Sequence, residues 1–136
     1  MSLEETDKES AAFATKPRVA LADIEAAIGA RYDFTGAQAI AGLSPAAPVV
    51  PALEILSICI LAMNNGFTVI GKSAPASPEN FNAEYGKKLA YEDAIRQLWP
   101  LMGFALRDRL WRDSDDAMQF MAKLQSSGVR NGGSYE

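Results

Sequence analysis

Histidine is absent from the 136-residue chain. Imidazole is the usual general base near neutral pH, activates serine and cysteine nucleophiles, and is a common zinc ligand. Its absence excludes these kinds of catalysis and of metal site. We therefore expect no metal ion and no cofactor, and a catalyst built from this chain would depend on carboxylates, lysine, tyrosine or serine.

Cysteine occurs once, as Cys59, inside an apolar segment. One cysteine cannot form a disulfide within the chain, and a buried free cysteine behaves as a small hydrophobic residue. This usage is typical of a reducing compartment. We expect a protein of the cytoplasm.

Long apolar runs and targeting signals are also missing. The longest apolar run, residues 55–63, includes Ser57 and is far shorter than the ~20 residues that span a bilayer. The N-terminal sequence MSLEETDKES is acidic and lacks the apolar core of a signal peptide. These features predict a soluble protein with no membrane contact.

The charge balance is mildly acidic, with a net charge of −4. Phosphate neutralisation by basic residues supplies most of the affinity of a general nucleic-acid binder. The overall charge therefore argues weakly against that class of protein.

The length and composition predict one α+β domain, over residues 17–125, between two polar ends. Residues 1–16, rich in acids, Ser, Thr and Ala, are expected to be a disordered arm. Residues 126–136, with Ser and Gly, are expected to be a flexible tail.

The first part of the domain shows helical spacing from Val19 onward. Leu21, Ile24 and Ile28 recur on one helical face, which predicts a short N-terminal helix ended by Gly29. A capping-box pattern, TGAQ at positions 35–38, predicts one further helical turn. Prolines at positions 45, 48 and 51 then favour a stiff polyproline linker over residues 42–52.

The clearest local pattern is a β-hairpin with strands at about residues 53–63 and 67–73. Asn65 and Gly66 between them favour a tight turn with positive φ angles. The first strand is apolar on both faces, whereas a solvated hairpin alternates apolar with polar residues. Both faces therefore need cover, either from a second copy of the chain or from helices on the two sides of the sheet. One face of this first strand carries Leu53, Ile55, Cys59, Leu61 and Met63, and the other face carries Leu56, Ile58 and Ile60.

A long helix is predicted for about residues 78–112. Ser77 is a favourable N-cap and Pro78 suits the first helical position. Pro100 interrupts the apolar stripe without ending it, so we expect one kinked helix or two abutting helices. After Asp113 a short terminal helix is expected, with an apolar face of Ala117, Phe120, Met121 and Leu124.

A charge ladder of alternating sign runs along the long helix. Glu84, Lys88, Glu92 and Arg96 recur at i, i+4 spacing and are flanked by apolar residues. Such runs are most often a solvated face. The functional interpretation is a polar slot that orients a ligand or partner, and we keep these residues as candidate binding residues.

A second candidate surface lies near the end of this helix. Phe104 and Trp111 share a helical line that is flanked by Arg107 and Arg112. Aromatic residues beside arginine are typical of interaction hot spots and of base-stacking surfaces. We expect Phe104 in the core and keep Arg107, Trp111 and Arg112 as candidate binding residues.

One long block resembles a known family. The sequence NNGFTVIGKSAPASPENFNAEYGKKLAYEDAIRQLWPLMGFALRDRL, with the earlier RVALADIEAAI and residues 32–35, is similar to small tailed-bacteriophage and prophage proteins of the phage gp-forty-nine/sixty-six family. The similarity covers about residues 18–35 and 53–110, and Ala20 stands where the family pattern suggests Thr. The resemblance implies a viral or prophage gene acting in the bacterial host cytoplasm. It implies no activity and no catalytic residue.

Three function hypotheses follow. The first is a non-enzymatic, homo-oligomeric binding module that engages a host protein or a small host molecule. The second is a nucleic-acid or nucleotide binder, since residues 72–112 carry seven basic and five acidic residues. The third, an enzyme using Glu84, Glu92 or Asp93, lacks a motif that would place these carboxylates in a pocket. The basic residues that favour the second hypothesis are Lys72, Lys87, Lys88, Arg96, Arg107, Arg109 and Arg112.

Overall fold

A three-stranded antiparallel sheet forms the centre of the protein, whose computed structural model describes residues 2–128. Its strands are β1 (Ile28–Thr35), β2 (Ser57–Met63) and β3 (Thr68–Ser73), in the order β1-β2-β3. The predicted α+β class is confirmed, with the β2–β3 hairpin packed on a long C-terminal helix. The strand β1 was not predicted.

Six helices accompany the sheet in the described residues, together with a 3₁₀ turn at Pro78–Asn80. They are α1 (Leu3–Phe13), α2 (Leu21–Ala26), α3 (Gly36–Leu43), α4 (Pro51–Glu54), α5 (Ala83–Arg112) and α6 (Asp115–Ser126).

The strand β1 replaces the end of the predicted N-terminal helix. Ile28 lies opposite Met63 in the sheet rather than on a helix. The segment from Arg31 to Phe34 alternates charged with aromatic residues, a period of two that suits a half-exposed strand. The predicted capping box after the strand is confirmed, because Thr35 and Gln38 exchange bonds of 2.8 and 3.1 Å.

The hairpin is shorter than predicted and its turn differs. Pro51 begins α4, so β2 starts at Ser57 instead of Leu53. Gly66 donates to the Met63 carbonyl at 2.9 Å, and Gly66 has a φ of 89°, whereas no non-glycine residue described here has a positive φ. The predicted tight turn, with positive φ angles at both Asn65 and Gly66, is therefore wrong, and the loop is a turn closed by one left-handed glycine.

The N-terminal arm is a helix, contrary to the predicted disorder. Ser2 and Glu5 form a capping box, with both bonds at 3.1 Å. Asp7 accepts from Arg18 at 2.7 Å and from the Leu21 amide at 3.0 Å, and these two donors lower the pKa of its carboxyl. These contacts and the burial of Leu3 fix α1 against α2. Of the predicted tail, residues 129–136 lie outside the described residues.

The helix α5 continues through Pro100 without a break. Its N-cap is Asn82, whose side chain accepts from the Tyr85 amide at 3.0 Å, because Ser77 precedes the 3₁₀ turn instead. Of its residues, Ala90, Ala94, Ile95 and Leu98 are buried against the sheet.

The helix and the sheet meet most closely at Gly71. A Cβ placed on Gly71 would lie 2.7 Å from the Ala94 nitrogen and 2.9 Å from its Cβ. Only a residue without a side chain allows this approach. The contact seals one face of the sheet, where Cys59 and Leu61 are fully buried. The alternative of helices on both sides of the sheet is wrong, because Tyr32 and Ile70 on the other face remain 61% and 58% exposed.

Replacing Gly71 tests this contact. We expect Gly71→Ala to lower the free energy of unfolding by about 1–3 kcal/mol, because the new methyl group forces the helix backbone away from the sheet. The measurement is urea denaturation followed by circular dichroism.

Gly103→Ala is the matched control, since a Cβ there meets no atom within 4 Å. It should raise stability by roughly 0.5–1 kcal/mol through the helix propensity of alanine. Equal effects of the two substitutions would contradict the packing described.

Candidate functional site

The face of the sheet that α5 does not cover is the first candidate surface. We call it the open sheet face. The strand register places Tyr32, Ile60 and Ile70 in one row, and Phe34, Ile58 and Lys72 in the next. Its residues are mostly apolar, and contiguous apolar patches of this kind mark interaction sites. They are Ala30, Tyr32, Phe34, Ile58, Ile60, Ala62, Thr68, Ile70 and Lys72.

The outer edge of β3 is closed by two side chains of α5. Asp93 accepts from the Lys72 amide at 3.0 Å, and Gln97 donates to the Ile70 carbonyl at 2.8 Å. An exposed strand edge invites pairing with another strand, and covering its backbone groups prevents this. Within residues 2–128, β1 is therefore the edge that is more open to pairing with another strand.

A cluster of charged and aromatic side chains lies beside β1, on the helix side of the sheet. Arg31 forms an ion pair with Asp33, with 2.9 Å between Nε and Oδ2. The same guanidinium lies 4.1 Å from the centre of the Tyr91 ring, which is a cation–π geometry. These contacts hold Arg31 and Asp33 in place along the strand.

Cys59 lies behind this cluster and is an unreactive thiol. Burial and the neighbouring Asp33 carboxylate raise the pKa of Cys59 to about 11. A nucleophilic cysteine needs a lowered pKa and access to solvent. The residue has neither, which agrees with its predicted role as a small core side chain.

The charge ladder does not form as a set of ion pairs. In the described residues, Glu84 pairs with Lys87 at 3.5 Å rather than with Lys88. Glu84, Lys88 and Arg96 are exposed, whereas Glu92 is only 7% exposed. The arrangement is a solvated face with one buried member, and a binding role for these residues stays a prediction.

The second candidate surface lies beyond the sheet, on the last turns of α5. Phe104 is 76% exposed, so its predicted place in the core is wrong. Trp111 is 40% exposed, and Arg112 is paired with Asp108 at 2.8 Å. The structure thus places Arg107, Trp111 and Arg112 on an exposed helix that carries unburied aromatic rings.

An apolar groove opens where α5 passes the hairpin loop. It has a volume of about 600 Å³, within the range of ligand pockets. Met63, Phe67, Leu98 and Met102 line it, together with polar side chains that include Arg109. The groove contains none of the candidate residues of the charge ladder.

Sequence reasoning missed Arg31, Tyr32 and Asp33, and also the roles of Asp93 and Gln97. The alternation of charged and aromatic residues in RYDF was a strand signal in the sequence itself. No sequence signal could identify Asp93 and Gln97, because their partners are backbone atoms about twenty to thirty residues away.

The described residues form a small α+β protein with a one-sided sheet. Over residues 2–128 no group of side chains is suited to hold a metal ion, and no helix is long and apolar enough to cross a membrane.

Residues 19–110, more than half of the chain, match the family described as Phage protein (N4 Gp49/phage Sf6 gene 66). The chain belongs to this phage protein family, whose function is unknown, and the predicted resemblance is confirmed. No curated protein and no solved structure matches it.

The buried thiol predicts a pH dependence of stability. The unfolded thiol titrates near 9.0 and the folded one near 11, so the unfolded chain loses this proton first. The contribution of Cys59 to stability is complete below pH 9 and is lost as the pH rises to 11.

Urea denaturation of the natural chain and of Cys59→Ala across this range is the measurement. We expect the stability difference between the two proteins to shrink from pH 9 to pH 11. A constant difference would show that the thiol titrates alike in both states.

Proposed function

We propose that this phage-family protein is a non-enzymatic binding module of the bacterial host cytoplasm, and that the open sheet face binds a host protein. The observation that carries the proposal is the one-sided cover of the sheet. Tyr32 and Ile70 remain more than half exposed on the two outer strands, in the same row across the sheet. Covering a large apolar side chain is worth about 1.5–3 kcal/mol, so a partner on this face gains a substantial free energy.

The placement of the carboxylates supports a binding role over catalysis. Asp93 is engaged with the Lys72 amide, and Glu84 is exposed beside Lys87. Neither lines the apolar groove, where the carboxylate of Asp23 is engaged as a helix cap and accepts from the Ala20 amide at 2.8 Å. The groove is instead suited to a small apolar host molecule, as a second ligand of the same module.

Self-association is part of this proposal. The chain has apolar side chains on both faces of β2, and its own helices cover one of them. A second copy can meet the sheet either at the open face or at the edge of β1, since α5 closes the edge of β3.

A charge placed on the open sheet face tests the proposal. Ile70→Glu should leave the melting temperature nearly unchanged, because the side chain is exposed, and should lower partner affinity at least about tenfold by burying a charge in the interface. Host proteins captured by the natural chain are identified, purified and titrated against each variant.

Phe13→Glu is the control, since Phe13 is 86% exposed at the end of α1 and lies off the sheet. Equal affinities of the natural chain and Ile70→Glu would overturn the assignment of the face. Failure of every captured protein to bind the purified natural chain would overturn the binding role.

A nucleic-acid binder is the second candidate, favoured by the exposure of Phe104 and Trp111 near two arginines. Stacking of a base on an aromatic ring is worth about 1–3 kcal/mol. If this candidate holds, fluorescent single-stranded DNA binds with an affinity that falls as salt increases, and Trp111→Ala weakens it at least about fivefold. Phe13→Ala is the control, and absence of salt-dependent binding excludes the candidate.

A further inference from the structure

The outer edge of β1 carries backbone groups that no other segment of residues 2–128 covers. Gly36 donates to Leu56 at 2.9 Å, which fixes the alternation of hydrogen bonds between β1 and β2. Ala30, Tyr32 and Phe34 therefore direct their N–H and C=O groups toward β2. Arg31 and Asp33 direct theirs outward, and within residues 2–128 these groups have no hydrogen-bond partner.

The hairpin confirms this alternation independently. Met63 donates to Phe67 at 2.7 Å, so the odd-numbered residues of β2 bond to β3 and the even-numbered ones bond to β1. The contacts of α5 agree with this alternation, because the Lys72 N–H from which Asp93 accepts and the Ile70 C=O to which Gln97 donates are both outward groups of β3. The sheet thus has one closed edge and one open edge.

The charges on β1 select one way for two such edges to pair. In an antiparallel pair of identical strands centred on Tyr32, Arg31 of each copy lies opposite Asp33 of the other. Centring the pair on Arg31 or on Asp33 would place like charges opposite each other, which is unfavourable. The outward backbone groups of Arg31 and Asp33 can bond to those of a second copy only when odd-numbered residues lie opposite odd-numbered residues, as they do in the register centred on Tyr32.

We propose that two copies of this chain join edge to edge through β1, in antiparallel register with Tyr32 on the two-fold axis. This interface rests on the self-association proposed above and gives it a location. The N–H and C=O groups of Arg31 in one copy bond to those of Asp33 in the other, and the reverse. The two guanidinium groups and the two carboxylates form a ring of alternating charge on the helix side of the sheet.

The surroundings of the edge limit the paired segment. The Thr35 amide already donates to Gln38 at 2.8 Å, which ends pairing on one side. The pairing register shifts between Ile28 and Ala30, which ends it on the other. The segment in between holds Arg31, Tyr32 and Asp33, the residues that the charge pattern selects.

The dimer joins two three-stranded sheets into one sheet of twice that width. Residues directly opposite in an antiparallel pair point to the same side, so the two α5 helices lie on one side and the two open faces on the other. The two Tyr32 rings meet at the centre of a continuous apolar surface. A cross-strand aromatic pair adds about 0.2–1 kcal/mol.

Charge reversal tests the interface in the full-length chain. Arg31→Glu and Asp33→Lys should each weaken dimerisation roughly tenfold or more, because each brings like charges together across the axis. An equimolar mixture of the two variants should recover a dimer, since the carboxylate introduced in one copy then faces the ammonium group introduced in the other. Sedimentation velocity over the micromolar range is the measurement, and circular dichroism checks that each variant is folded.

A cysteine at the axis tests the register. Tyr32 faces itself as a non-hydrogen-bonded pair, where the Cα atoms of an antiparallel ladder are about 4.5 Å apart and within reach of a disulfide. With Cys59→Ala as background, Tyr32→Cys should form a reducible dimer under mild oxidation. Ala30→Cys, the control, should not, because its own symmetry mate lies several residues away along the strand.

The outcomes separate this interface from the proposed function. If the natural chain is a dimer that Ile70→Glu dissociates and the charge reversals do not, self-association stands and the edge interface is wrong. If the natural chain sediments as a monomer at every concentration, both self-association and the edge interface are wrong. Charge reversals that weaken the dimer without recovery in the mixture also overturn the register.

Discussion

The fold depends on the close approach of α5 to β3 at Gly71. Ala90 and Ala94 on the helix and Gly71 on the strand have little or no side chain there, so the backbones lie nearly in contact. This approach brings Asp93 and Gln97 within reach of the Lys72 amide and the Ile70 carbonyl. One contact between small residues therefore buries one face of the sheet and closes one of its edges.

The same contact determines what remains accessible. A helix on one side leaves the opposite face uncovered, and closing β3 leaves β1 as the edge that can pair. A binding surface and a pairing edge are thus the parts of the sheet that α5 does not use. The second half of α5 adds the exposed aromatic side chains of Phe104 and Trp111.

Much of this architecture could be predicted from the sequence, because the signals are local. The position of the hairpin loop, the apolar strand and the long helix depend on neighbouring residues, and so does the capping box at Thr35. The helix α1 has the same kind of local signal in Ser2 and Glu5, but the acidic composition of this segment is equally typical of a disordered arm.

The rest could not be predicted because it depends on pairing between distant segments. Whether Ile28 continues a helix or starts a strand is decided by Met63, which lies opposite it in the sheet. The exposure of Phe104 depends on the residue at which α5 extends past the sheet. The helical spacing of apolar residues in the sequence does not indicate where that residue lies. The charge ladder was visible as a pattern, but only the fold shows that Glu92 alone is buried.

Pro100 separates two halves of α5 that differ in burial. Proline has no N–H, so the Arg96 carbonyl lacks its helical hydrogen bond, and the helix is most easily bent at this residue. The buried residues of α5 end two positions earlier, at Leu98. The first half of the helix is consequently the part packed on the sheet, and residues of the second half, Met102 and Leu106 among them, form one wall of the groove beside the hairpin loop.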